Sequence, residues 1–143
     1  MASPEVFAGV FAALFAAHEV ADHWVQTHTQ AVRKGSPGWV GRLACARHVA
    51  TYTATLTVVL ALVSWRLGIG YSLPNVVAAV VLTAGTHYWA DRRTTLRRLA
   101  DLARKGDFAG LGDPLAAPTG TGAYSLDQAW HIGFLSVAAL ILA

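Results

Sequence analysis

Four long apolar runs leave this chain few folds to choose from. They cover residues of about 4–30, 48–66, 71–91 and 125–143. In hydrocarbon every backbone N–H and C=O must be satisfied internally, so an open-ended crossing segment is a helix. At about 1.5 Å per residue, the last run just spans a hydrocarbon core of about 30 Å. The composition agrees, with 55% hydrophobic and only 13% charged residues in 143 positions, where soluble domains carry about 25% charge. A soluble bundle of this size would have to be almost all core. The expectation is an all-α integral membrane protein, a single domain over 1–143, with four transmembrane helices in two antiparallel hairpins.

Between the runs the sequence changes character. Gly35, Ser36, Pro37 and Gly38 mark a turn within 31–47, and RLGIG marks a second, short one. Residues of about 92–105, RRTTLRRLADLARK, place Leu96, Leu99 and Ala103 on one stripe, with Arg97, Arg98, Asp101, Arg104 and Lys105 facing away. That pattern predicts an amphipathic helix on the membrane surface, with Arg92, Arg93, Arg97 and Arg98 meeting anionic headgroups rather than nucleic acid. Residues 106–123, rich in Gly, Pro and Thr, read as a flexible loop; Ser125 with Gln128 reads as a capping box opening the last helix. Trp24, Trp39, Trp65, Tyr71, Trp89, Tyr124 and Trp130 fall near expected helix ends, as interfacial anchors do.

The basic residues divide unevenly. The first connection holds Arg33, Lys34, Arg42 and Arg47, the third holds six, and the second holds only Arg66. By the positive-inside rule, connections one and three are cytoplasmic and both termini lie outside. Abundant Ala, nine Arg and only two Lys hint at a high-GC genome. The N-terminal stretch has no basic region or cleavage site, so its apolar run is expected to stay as a helix rather than be removed.

Into this apolar chain are set three His/Asp pairs at i,i+4 spacing: His18 with Asp22, His87 with Asp91, and Asp127 with His131. That spacing puts both groups on one helix face, one turn apart. His48 opens the second run, and under the expected topology all of these residues arrive at the same cytoplasmic depth. Lipid does not tolerate such groups, so they face inward. Imidazole with carboxylate suits a divalent transition metal, Zn²⁺ first and Fe²⁺ or Mn²⁺ next. Cys45 is the only cysteine and offers neither a disulfide nor a thiolate site. The expected metal residues are His18, Asp22, His87, Asp91, Asp127 and His131, with the surplus serving as orienting partners or a second metal. Glu19 and His48 are the candidates for proton transfer beside a metal-activated water.

Plainer explanations exist for each piece. Asp127 could cap the last helix, Asp91 could pair with Arg92 or Arg93, and His48 could be an interfacial first-turn residue. His23 and His28 fit solvent or headgroup contacts, and Gln26 an interhelical hydrogen bond. Without a metal the same residues could form a proton or ion path, although the outer halves of the first and last helices are almost purely apolar. A third possibility is a non-catalytic scaffold, carried by a mobile element, whose Arg-rich surface helix recruits a partner.

The motifs HxxxDxxxQ (His18, Asp22, Gln26), a His opening helix two (His48), HxxxD (His87, Asp91) and DQxxH (Asp127, Gln128, His131) follow one another in order. In this the chain resembles a small uncharacterised family of bacterial integral membrane proteins. It departs from the family pattern at Glu19 and His23 and in a longer loop before DQxxH. Its layout is more loosely similar to inner-membrane metal-dependent hydrolases, and that resemblance implies a bound metal and a hydrolytic activity. The functional expectation is therefore a membrane-embedded metal-dependent hydrolase acting on a lipid-like substrate at the cytoplasmic leaflet. The oligomeric state is left open.

Overall fold

A computed structural model describes residues 3–143, and the described chain is helical with no strand. Helix α1 (Pro4–Val20) starts where Ser3 accepts the Val6 N–H and Pro4 occupies the first turn, a position that loses no hydrogen bond to proline. It passes into a π-helical turn, Ala21–Val25, closed by the Gln26 N–H on the Ala21 carbonyl. The first run does not continue as one helix to residue 30. Gln26 is extended, and Thr27 with Gln30 forms a reciprocal capping box that starts a new helix, α2 (His28–Arg33).

Helix α3 (Gly38–Leu67) begins ten residues before the expected start at 48. The Arg-bearing stretch read as a connection is helical, because buried Gly41, Cys45, His48 and Tyr52 recur at helical spacing and hold it against the bundle. Pro37, extended, precedes it, and Gly68 ends it with a left-handed φ of 69° that favours glycine. Helix α4 (Leu73–Asp91) is capped by Ser72. The short α5 (Thr94–Leu102) and α6 (Gly106–Ala109) follow. The segment expected as an unstructured loop thus carries α6 and a 3₁₀ turn at Pro118–Gly120, and the Gly122 N–H ties it back to the Leu111 carbonyl. A Cβ on Gly122 would meet the Phe108 carbonyl oxygen at 1.7 Å, so glycine is required for this close approach. Helix α7 (Gly122–Leu142) starts three residues before Ser125, and its cap is Thr121, which accepts the Tyr124 N–H.

Three stretches are long and apolar enough to cross a membrane: Pro4–Val25, Gly38–Leu67 and Gly122–Leu142. α4 is not among them, since Asn75, Thr83, Thr86 and His87 dilute its hydropathy. Helices α1, α3, α4 and α7 nevertheless form a closed ring, each packing on two others, α1 and α4 both against α3 and α7. One half of the interior is apolar, built from Val10, Leu14, Leu56, Leu60, Leu135 and Leu142, with Ala17, Ala79, Ala138 and Ala139 letting backbones approach. The other half is polar. Outside, large apolar side chains such as Val58, Leu62, Val81 and Leu140 are exposed. Of the expected interfacial aromatics, Trp24, Trp39 and Trp65 are exposed. Trp89 and Trp130 instead stack on each other between α4 and α7, and the Trp130 indole N–H donates to the Thr86 carbonyl.

Candidate metal centre

The polar half is built from the lower turns of all four ring helices. α1 brings His18, the π turn brings Asp22, α3 brings His48, the last turn of α4 brings His87 and Asp91, and α7 brings Asp127 and His131. The four histidines are 0, 0, 1 and 3% exposed in chain order, and Asp91 is 1% exposed. This is the environment in which charge must be paired or coordinated.

At its centre two imidazole nitrogens face each other, His48 Nε2 and His87 Nε2, 2.9 Å apart. Asp22 Oδ1 lies 3.2 Å from the first and 3.5 Å from the second. Asp91 Oδ2 lies 3.2 Å from each. Four donors held about 2.0–2.1 Å from one tetrahedral ion stand about 3.3 Å from one another, and octahedral neighbours about 3.0 Å. The separations among His48, His87 and Asp91, one group of donors within reach of an ion, fall around those values, as do the two from Asp22 to the histidines. Asp22 Oδ1 and Asp91 Oδ2 are buried without a hydrogen-bond partner, as donors for an ion would be. Two neutral imidazoles can share only one proton along their 2.9 Å line, and a cation placed among these atoms would answer both that line and the carboxylate lone pairs turned to it.

Around this tetrad the remaining residues position it. The His87 ring is stacked between Tyr52 (centroids 3.8 Å apart) and His131 (4.1 Å), and packing rather than hydrogen bonding fixes its plane, since its Nδ1 has no partner. His18 uses both nitrogens: Nε2 is 3.1 Å from the Gln128 carbonyl oxygen and Nδ1 is 3.3 Å from the Tyr52 hydroxyl. An amide oxygen only accepts, so Nε2 donates and the Tyr52 hydroxyl donates to Nδ1. The Gln26 amide nitrogen lies against His48, 3.0 and 2.9 Å from its two ring nitrogens. Lys34 reaches in from the turn after α2 and places its ammonium 2.8 Å from Asp91 Oδ1. His131 Nε2 stands 3.5 Å from Asp127 Oδ1 and 3.9 Å from Asp91 Oδ1. A cavity of about 540 Å³ opens onto Asp22, Asp91, Lys34, Asp127 and Gln128.

A family model described as a protein of unknown function, DUF3307, matches residues 10–143. The chain belongs to this family. No curated protein and no solved structure matches it. The matched region contains every residue of the tetrad and its surroundings.

Every expected metal residue lies in this half of the bundle, and three groups have donor atoms close enough to hold an ion: His18, Asp22 and His87; His48, His87 and Asp91; Asp91, Asp127 and His131. His48, expected as a proton-transfer group, sits inside the tetrad with no exposure. Glu19 lies at the side, about half exposed, 3.9 Å from His18 Nε2 and 3.6 Å from His23 Nδ1. The plainer explanations resolve individually. Asp127 is beyond the first turn of α7 and caps nothing there. Arg92 donates to the Lys34 and Ser36 carbonyls and Arg93 to the Ala31 carbonyl, so the cation on Asp91 is Lys34 rather than either arginine. His23 bonds the Glu19 carbonyl and the Tyr124 hydroxyl, away from the tetrad.

Sequence reasoning missed Lys34 and Tyr52. Tyr52 follows His48 by four residues and so shares its face, a signal that was available. Lys34 sits among loop arginines and carried no such mark.

Proposed function

We propose that this protein is a four-span membrane protein, two antiparallel hairpins with α4 as the fourth span, that binds a divalent transition metal and acts as a metal-dependent hydrolase at the cytoplasmic leaflet of a bacterial inner membrane. The observation that carries this reading is the His48, His87, Asp22 and Asp91 tetrad, with two unpartnered carboxylate oxygens, at the inner end of a cavity. Mixed nitrogen and oxygen donors suit Zn²⁺, with Fe²⁺ or Mn²⁺ next. Such an ion lowers the pKa of a bound water to about 7 and so supplies a nucleophile at neutral pH.

The chain's own residues then have separate tasks. Asp22 and Asp91 supply negative charge, and His48 and His87 neutral donors. Asp127, a quarter exposed and lining the cavity, is better placed than Glu19 to accept the water's proton. His131 stands behind it, and Lys34 balances the second oxygen of Asp91. The depth fits as well. About 20 residues counted back from Leu67 fill the hydrocarbon and reach His48, leaving the first turns of α3, with Arg42, in the interface. The basic connections favour both termini outside.

The test is metal content of detergent-purified protein by mass spectrometry. One or two equivalents of one transition metal, lost in His87→Ala that keeps its helical circular dichroism, is the expected result. A metal-free wild type, after growth and purification with added Zn²⁺, would end the metal reading.

A further inference from the structure

The cavity beside the tetrad has a chemistry of its own. Its inner end is formed by Asp22, Asp91 and Lys34. Arg93 and Arg97, both exposed, stand at its surface end. Leu96, Ala100, Ala109 and Leu126 give the lining an apolar part. Arg93 uses one guanidinium nitrogen on the Ala31 carbonyl and Arg97 uses its Nε on Asp101, so each keeps N–H donors for a further acceptor. A volume of about 540 Å³ is of the size of small-molecule sites.

The geometry points to a phosphate-bearing amphiphile as the occupant, its phosphate held by Arg93 and Arg97 at the surface end; that this occupant is the substrate rests on the metal-hydrolase reading above. Guanidinium groups match phosphate oxygens bidentately. A neutral amphiphile leaves Arg93 and Arg97 unmatched, and a small soluble phosphoester leaves Leu96, Ala100 and Leu126 uncovered. α5 carries Arg97 on the same helix as Leu96, Leu99 and Leu102, with Arg93 just before its first residue, so the mouth lies where headgroups and chains meet.

The experiment is a binding titration, read by tryptophan fluorescence, on full-length protein in neutral detergent with Zn²⁺ present. The probes are dihexanoyl phosphatidic acid, dihexanoylglycerol and glycerol 3-phosphate. Phosphatidic acid is expected to bind at least about tenfold more tightly than either half-molecule. Arg97→Gln, an exposed change that leaves the fold alone, should lose several-fold of that preference, and R93Q/R97Q most of it. Equal binding of dihexanoylglycerol would remove the arginines' role, and equal binding of glycerol 3-phosphate would remove the apolar wall's. Either overturns the assignment, as does an unchanged R93Q/R97Q variant that keeps its circular dichroism. Metal content separates this result from the hydrolase reading. An arginine-dependent preference in metal-free protein supports the pocket and ends the hydrolysis; bound metal without the preference ends the pocket and leaves the metal centre standing.

Discussion

Leu14 and His18 are one turn apart on α1 and both buried, yet they belong to regions held together in different ways. Leu14 packs with Val10, Leu56, Leu60, Leu135 and Ala138, where shape alone matters. His18 packs among His87, His131 and Tyr52, where each polar atom needs a named partner. An apolar layer tolerates a substitution that keeps volume, whereas a polar layer in low dielectric does not tolerate the loss of one member of a pair. The apolar half therefore carries the assembly of the bundle, and the polar half depends on every one of its members. The apolar half also closes the bundle beyond His18 with Leu14, Leu56 and Leu135.

Substitutions in the two halves sharpen this contrast. The largest effect is expected from Asp91→Asn, which takes charge away from His48, His87 and Lys34 together. Metal should be lost from the purified protein, and at constant ionic strength the melting temperature should become independent of added Zn²⁺. Lys34→Met comes next. Removing one partner of a buried pair costs about 3–5 kcal/mol, and here a metal can replace the missing cation. Metal-free K34M should be destabilised by about that amount and largely rescued by Zn²⁺, as read by thermal unfolding in both states; equal destabilisation with and without Zn²⁺ would contradict it. Leu135→Ala tests the other half. Its side chain is 1% exposed, and the expected cost is about 2–4 kcal/mol with metal stoichiometry unchanged. Loss of metal in L135A would show that the halves are not independent. The smallest effect belongs to Tyr52→Phe, which keeps the stack on His87 and removes only the hydroxyl from His18. A roughly tenfold weaker metal affinity, or less, is expected by competition with a chelator.

The same contrast explains what could be read from the sequence. The His/Asp pairs were legible because i,i+4 spacing inside apolar runs has few other meanings, and α1, α3 and α7 because length and hydropathy mark them. Helix ends were less so. Arg42 and Arg47 made the start of α3 look like a connection, while Gly41, Cys45 and His48 were already repeating at helical spacing. Thr27 and Gln30 cut the first run because a local capping box competes with continuation, and hydropathy does not see it. Lys34 was invisible because its partner is 57 positions away across a tertiary contact. A positive residue in a loop says nothing about which carboxylate it will meet.

The π-helical turn at Ala21–Val25 has a consequence for sequence length. Its closing bond spans one residue more than an α turn. Here the chain carries, in effect, a one-residue insertion, and the insertion sits between Asp22, which enters the tetrad, and Gln26, which leans on His48. Taking that residue out would restore an ordinary helix and turn everything after it by about 100°, swinging Gln26 off His48 and re-aiming the strand of chain that carries Lys34. The spacing of HxxxDxxxQ is thus a matter of register as well as of residue type, and a relative with every motif residue intact but one residue fewer between Asp22 and Gln26 would have a different centre.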